Sequence, residues 1–553
     1  MPYQRDWDES VGLWKRKGPG HTKGVHDLLE VHEGRAAANK LVAAALDGQL
    51  ATVAVGRVLA ALESMQQVGG PRHGCFRWYF EEREVRDTNA AFFIGLPLIA
   101  LRAVWSEQLV DEDRARLERM LSRLREWFDH ELAHPSPVYP NKYLGDLVCG
   151  WLLAEMVGEI PTELPSRLLD AAIYWQEQEW GWGEHMSDLY AGICLDELAM
   201  LLLLSRRLPS DVRAAYERLR DELLAIDDLY AGGPRVPVIR CYAFTESPKV
   251  EPYRRSIRPW KTEDLEGYFF QPLRALACRL GWHETVPAPA SRPDVIEIDC
   301  HGGARARALI AGPLRVGVMS RYPIMEGIDH LTWGLSWQSF PVAAWHASGD
   351  WVFLQWEATE NGRRRTHPAE SKADSYLGNA LSEQLDPPPV GVTHSLRVGR
   401  TFVVLRQMPR VSPGWTELVD RVRVVNRTGG QPTVRSDGEV HELSMRFEDS
   451  SGPGHELRVS HIALGGTTSP SMEQNAFGGF DWSIRHRLGD DARGLPPTGL
   501  WLWSLNDASA RGTGVSVHVV EGGWRVSWQE GDRARSMLVA PRDPTPLRLA
   551  DSR

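Results

Sequence analysis

Two hydrophobic rhythms divide this chain. From about residue 34 to 281, apolar residues recur at the three-to-four spacing of amphipathic helices. From about residue 294 onward they alternate with polar ones, the spacing of half-buried strands. The first rhythm predicts helices over Arg35–Leu46, Ala51–Gln67, Thr88–Ser106, Asp111–His134, Lys142–Gly158, Pro165–Gln178, Asp188–Arg207, Ser210–Ile226 and Thr262–Leu280. Acidic first turns at Asp111-Glu112 and Ser210-Asp211 mark starts, because they complement the helix dipole. Gly158 before Pro161, and Pro135 and Pro137 after His134, mark stops. The second rhythm predicts strands over Val295–Cys300, Ala306–Ala311, Arg315–Met319, Trp351–Ala358, Thr401–Met408, Leu418–Val425, His455–His461, Val515–Val520, Trp524–Gln529 and Ser536–Val539. Glu521-Gly522-Gly523 and Glu530-Gly531-Asp532 are hairpin turns between the last of them.

Apolar helices (Thr88–Ser106, Lys142–Gly158, Asp188–Arg207) alternate with charged ones (Asp111–His134, Ser210–Ile226). Repeated hairpins of that kind predict an inner and an outer ring, an incomplete α/α toroid; a plain helical solenoid is the alternative. The expected organisation is multidomain, α then β. Residues 1–285 form the helical toroid, 286–293 a Pro/Ala linker, and 294–553 a large antiparallel β-sandwich. Residues 227–262 interrupt the helical pattern with an ordered-looking stretch rich in Pro, Arg and Tyr, and long segments of this kind are commonly functional. A polar, Arg-rich loop spans residues 361–382.

Length and charge narrow the field. At 553 residues the chain is too long for one core. A formal charge of -10 argues against nucleic acid, which rewards a basic face. Local basic loops still allow an anionic ligand. The six cysteines lie apart and without CxxC pairs, so they read as reduced. Residues 1–10 carry no apolar core, and the longest apolar run, Leu198 to Leu204, is too short for a membrane span. A cytoplasmic protein without a membrane partner is expected; oligomeric state is not legible. The 22 tryptophans serve packing for the most part, with a few available for stacking on sugars.

The candidate chemistry gathers at the starts of apolar helices. Asn89 lies in Arg86-Asp87-Thr88-Asn89, Asn141 in Tyr139-Pro140-Asn141, and His185 and Tyr190 in Trp180 through Tyr190. Inner helices of a toroid run parallel, so their N-termini gather at one positive end. Two amides, an imidazole and a phenol there, beside an Arg-rich loop, suit β-elimination on a uronic acid. Asn141 or Asn89, with Arg240, would neutralise the carboxylate and stabilise the enolate-like charge. His185 would take the C5 proton, and Tyr190 or Tyr242 would protonate the leaving oxygen. Trp182, Glu184, Arg254 and Arg255 join the expected substrate-binding set.

Gly181-Trp182-Gly183-Glu184-His185 through Tyr190-Ala191-Gly192, with Asn89 through Gly95-Leu96-Pro97 or with Asn141, resembles the polysaccharide lyases of the heparinase II/III, chondroitin AC and hyaluronate lyase type. The resemblance implies a helical toroid followed by a β-sandwich, an anionic saccharide substrate and no cofactor; because the sandwich of related lyases supplies one side of the cleft, it also implies Arg321 and His330 as substrate-binding residues.

Three other readings stay open. His130-Glu131-Leu132-Ala133-His134 matches the H-E-x-x-H helix of zinc peptidases, with Glu155 or Glu159 placed as a third ligand. Against it, Pro135 ends the helix at once. An accessory divalent metal on His130 or His134, or on Asp329, His330 and His346, is the weaker form of that idea. Glu177, Glu179, Glu184 and Asp188 would serve a glycoside hydrolase. A non-catalytic carbohydrate scaffold would need only Trp faces and the basic loop. No GxSxG, P-loop or dinucleotide fingerprint occurs.

Overall fold

The computed structural model describes all residues except 1, 178–183, 242, 249, 286, 288–292, 323–339, 361–362, 366–390, 409–410, 412–413, 429–431, 449–453, 465–467, 489–497, 508–513, 531, 542–545 and 550–553. Helices come first and antiparallel sheets follow, in the order the two rhythms predict. The chain forms two compact units. One comprises Met1–His185, Leu189–Asp228 and Glu251–Ser291; the other comprises Met186–Asp188, Leu229–Val250 and Arg292–Arg553.

The helical unit contains α1 (Gly34–Leu46), α2 (Val55–Met65), α3 (Ala90–Trp105), α4 (Asp111–Leu132), α5 (Pro140–Val157), α6 (Leu164–Glu177), α7 (Asp188–Leu204), α8 (Ser210–Leu229), α9 (Tyr253–Ser256), α10 (Gln271–Arg279) and α11 (Trp282–Thr285). Burial explains the two helix classes. In α4 one stripe is buried, Leu117, Met120, Leu121, Leu124, Trp127 and Phe128, and charges cover the rest. In α3 and α5 nearly every side chain is buried, so apolar residues fill the whole circumference. The segment Ala90–Gln108 is long and apolar enough to cross a membrane by length and composition, yet it is mostly buried inside the protein. Helix α1 packs on α3 and α10, α3 on α5, and α4 on both α2 and α5.

Several boundaries differ from those the spacing predicts. Thr262–Leu280 is not one helix: a 3-10 turn over Thr262–Glu266 gives way at Gly267, and α10 begins at Gln271 with Pro272 in its first turn. A 3-10 turn over Leu50–Thr52 precedes α2. Gly158 ends α5 in the left-handed conformation, φ 78°, as its glycine suggested. The chain also opens with a small sheet of Trp7–Asp8, Leu13–Lys17 and Glu30–His32, strands too short to show a period.

The second unit is layered. Its largest described sheet runs, edge to edge, Thr468–Gln474, Phe480–Arg487, Trp415–Val425, Trp351–Glu360, Val342–His346, Leu314–Met319, Ala304–Ala311 and Val295–Cys300, and Arg363–Arg365 pairs beside Trp351–Glu360. A second sheet runs Thr433–Asp437, Val440–Phe447, His455–Ala463, Thr498–Asp507, Thr401–Gln407, Val392–Val398 and Arg321–Tyr322. Val316, Val352, Val422 and Trp482 of the first face Phe402, Leu443, Val459 and Trp503 of the second in one core. The alternate residues of the second sheet, Val403, Leu405 and Leu502, pack instead on Val526, Trp528 and Met537 of a third, four-stranded sheet. That third layer explains why Thr401–Gln407 is apolar on both faces.

A polar cluster is buried between the first two sheets. Arg406 Nη2 lies 2.6 Å from Asp420 Oδ2, both fully buried, and His486 Nε2 lies 3.2 Å from the same oxygen. Beside them His461 is fully buried, neither ring nitrogen has a partner, and its ring meets Trp501 edge-on at 4.7 Å. Burial, reinforced by His486, holds the His461 pKa well below the ordinary 6.5. The unfolded chain therefore takes up a proton below that pH and the native chain does not. His461 contributes stability that is fully present above its unfolded pKa and lost as pH falls, by about 1.4 kcal/mol per pH unit. Urea unfolding followed from about pH 6.5 to 5 should show this slope, and His461→Phe should flatten it; an unchanged slope would assign it to other groups.

Candidate functional site

The N-terminal turns of α3 and α5 carry the two candidate amides. Asn89 occupies the position before α3, but its side chain makes no capping bond. Its Nδ2 donates to the Tyr139 hydroxyl at 3.0 Å, and its backbone N–H is held by Asp87 Oδ1 at 2.9 Å. Asn141 is not a cap residue: Tyr139 precedes the helix, Pro140 opens it, and Asn141 lies inside the first turn. Its backbone N–H, free at a helix start, is taken by Glu184 Oε2 at 2.8 Å. Its side chain is fully buried, and neither Oδ1 nor Nδ2 has a hydrogen-bond partner. An unpaired buried amide costs roughly 1–3 kcal/mol, so this one is held in place by its surroundings rather than by its own bonds.

Acidic groups surround that turn. Lys142 bridges Glu131 at 2.5 Å and Asp146 at 2.6 Å. Burial alone would lower the Lys142 pKa; the two carboxylates outweigh it and raise the value. Burial pushes Asp146 up to about 6 against the pull of Lys142. Glu197 of α7 is fully buried with both carboxylate oxygens unpartnered. Burial first, then the nearby charges of Glu184, Asp196 and Asp146, raise its pKa well above the ordinary carboxylate value, which favours the protonated form. Gly145 makes this geometry possible: a β-carbon there would stand 2.6 Å from the Phe92 ring and 2.9 Å from Glu197 Oε1.

His185 and Tyr190 do not share one helix. His185 lies in a 3-10 turn, Glu184–Met186, and Tyr190 lies in the first turn of α7 after Ser187. The His185 side chain, and all of Trp182, Tyr242, Asp329 and His330, lie outside the described residues. Tyr190 is buried, as are Asn89, Asn141 and Glu184; in this conformation none of these side chains stands at an open surface. The basic loop is partly committed elsewhere. Arg254 makes a two-pronged pair with Asp228 at 2.7 and 3.0 Å, and Arg255 is exposed. In the strand-rich unit Arg240 is buried with φ 53°, and its carbonyl accepts from Ser187 Oγ at 2.8 Å. Arg321 donates to the Gly302 carbonyl at 3.2 Å.

The metal readings find little support. Helix α4 ends at Leu132, so His134 lies beyond it, 3.2 Å from the His130 carbonyl, and Glu131 is held by Lys142. His346 bonds Ser348 at 2.5 Å and stacks on Phe447. Among the described residues, Asp420, His461 and His486 bring three ligand atoms within 4.8 Å of one another. The Arg406 guanidinium on Asp420 already supplies the positive charge that such a set would seek. Sequence reading passed over Asp146 and Glu197; the signal was there, since each is an acid inside an otherwise apolar helix.

No family model and no curated protein matches the chain. Among solved structures it is similar to one titled "Crystal Structure of Heparinase III", at 11% identity and a TM-score of 0.46, over 90% of this chain and 82% of that one.

Proposed function

We propose that this chain is a lyase that cleaves a uronic-acid-containing saccharide by β-elimination. The observation that carries the reading is Asn141: a buried side-chain amide with no protein partner, on the first turn of a helix and tied through its backbone to Glu184, next to His185. A helix N-terminus favours an anion, and an amide donor there strengthens as the sugar carboxylate takes on enolate charge. On this reading Asn141 neutralises the carboxylate and Asn89, held by Tyr139, lies at the neighbouring helix start. His185 removes the C5 proton, and Tyr190 protonates the O4 leaving group as the C4–O4 bond breaks. The burial of Asn89, Asn141 and Tyr190 requires the surrounding chain to part for the substrate.

The toroidal arrangement belongs to the same proposal. It is supported by the sequence of contacts α10–α1–α3–α5 and by links from α7 to both α5 and α10, through Gly145 against Glu197 and through Asp196 with Arg274. Such a ring would set the N-termini of α3, α5 and α7 at one end.

One observation favours a second reading. Burial and the charge of Glu184 both raise the pKa of the fully buried Glu197 carboxyl, and a glycoside hydrolase needs one protonated and one ionised carboxyl group. Incubation with uronic-acid oligosaccharides separates the two. A lyase yields an unsaturated product that absorbs in the ultraviolet; reducing ends without that absorbance would support the hydrolase and remove the elimination.

A further inference from the structure

A cavity of about 840 Å³ lies in the helical unit, where strand Leu13–Lys17 meets the starts of α1 and α10. Its lining charges balance in number, so any preference for a ligand comes from position. Asp6 and Glu266 are committed to Arg5, at 3.7 and 3.0 Å. Buried Glu33 is shared by Arg16 at 3.1 Å and Arg35 at 2.5 Å, which among the described residues leaves one guanidinium charge without a carboxylate of its own. The Arg35 guanidinium carbon lies over the Phe269 ring, 4.0 Å from its centre. Half-buried Lys40 has no ion-pair partner among the described residues, and its ammonium lies 5.0 Å from the centre of the Trp14 ring. Burial holds its pKa below the usual lysine value, as expected of an ammonium lacking a close counter-charge. Asn39 is 4% exposed; its Nδ2 donates to the Arg35 carbonyl at 3.0 Å and its Oδ1 has no partner.

Two cations fixed by aromatic faces, with a buried amide oxygen between them on one helix, form a prepared site for an anion that also carries hydroxyl groups. We propose that this cavity is a subsite for an acidic sugar residue, with its carboxylate on Lys40 and Arg35 and a hydroxyl donating to Asn39 Oδ1. The assignment rests on the lyase reading only for the identity of the ligand. The site is distinct from the Asn141 turn, since its residues come from the N-terminal sheet, α1 and the segment before α10.

The test is calorimetric titration of the full chain carrying Asn141→Ala, with a uronic-acid oligosaccharide and its carboxyl-reduced neutral counterpart. Adding Lys40→Gln should weaken binding of the acidic ligand about tenfold and leave the neutral one unchanged. Lys40→Arg should restore the affinity, which excludes a folding defect, and Asn39→Ala should weaken binding of both ligands. Equal affinity with and without Lys40, or no preference for the acidic ligand, overturns the subsite. Formation of an unsaturated product with no effect of Lys40 on affinity would leave the lyase standing and remove the subsite. Weaker binding in Lys40→Gln without any such product from the unmutated chain would do the reverse.

Discussion

Asn141→Ala is expected to lower kcat/KM on a uronic-acid oligosaccharide by about 100- to 1000-fold, the loss that follows removal of one donor to a developing oxyanion. The backbone bond to Glu184 survives the substitution, and no side-chain bond is lost because none is made. Stability should therefore hold or rise slightly, since an unpaired buried amide is replaced by a methyl group. This combination discriminates between roles. A residue kept only for packing would show the opposite pattern, with activity near normal and a lower melting temperature. Asn89→Ala should cost less activity and some stability, because its amide is bonded to Tyr139.

Asp196→Asn should produce the largest loss of stability in the helical unit. Its carboxylate receives Arg274 Nε at 2.8 Å, Arg274 Nη2 at 3.1 Å, the Tyr253 hydroxyl at 3.0 Å and the Tyr268 hydroxyl at 3.1 Å. Asp196 and Arg274 are both buried and join α7 to α10. An amide offers one acceptor in place of two and turns a donor toward the guanidinium, which is left as an uncompensated buried charge. Breaking a buried pair in this way costs about 3–5 kcal/mol, a fall of roughly 10 °C in melting temperature for a unit of this size. Tyr253→Phe, which removes one neutral donor, should cost only about 1 kcal/mol. Thermal melting of the three proteins checks the ranking; equal melting temperatures would mean that the network does not hold the two helices.

The sequence made the order of helices and strands legible because burial writes itself into spacing. The single stripe of α4 and the fully apolar α3 are the clearest cases. It was silent where structure depends on contacts distant in the chain. The break at Gly267 before α10 and the two- to five-residue strands at the N-terminus leave no periodic trace. The third sheet left a trace, in the two-faced apolar run Thr401–Gln407, that periodicity alone does not distinguish from any buried strand. At the candidate site, residue type and position identified Asn89 and Asn141 as helix-start residues. Their partners could not be read: Tyr139 is 50 residues from Asn89 and Glu184 is 43 from Asn141. The basic run before α10 looked available for an anion, yet Arg254 and Arg258 are each paired with an acid, Asp228 and Asp264.

The most direct measurement is the mass of the cleavage products formed in water enriched in heavy oxygen. Elimination splits the saccharide without adding water, so the fragments should sum to the mass of the substrate and carry no label, and the unsaturated fragment should disappear with Asn141→Ala. Fragments that together gain one labelled water would show hydrolysis and contradict the account.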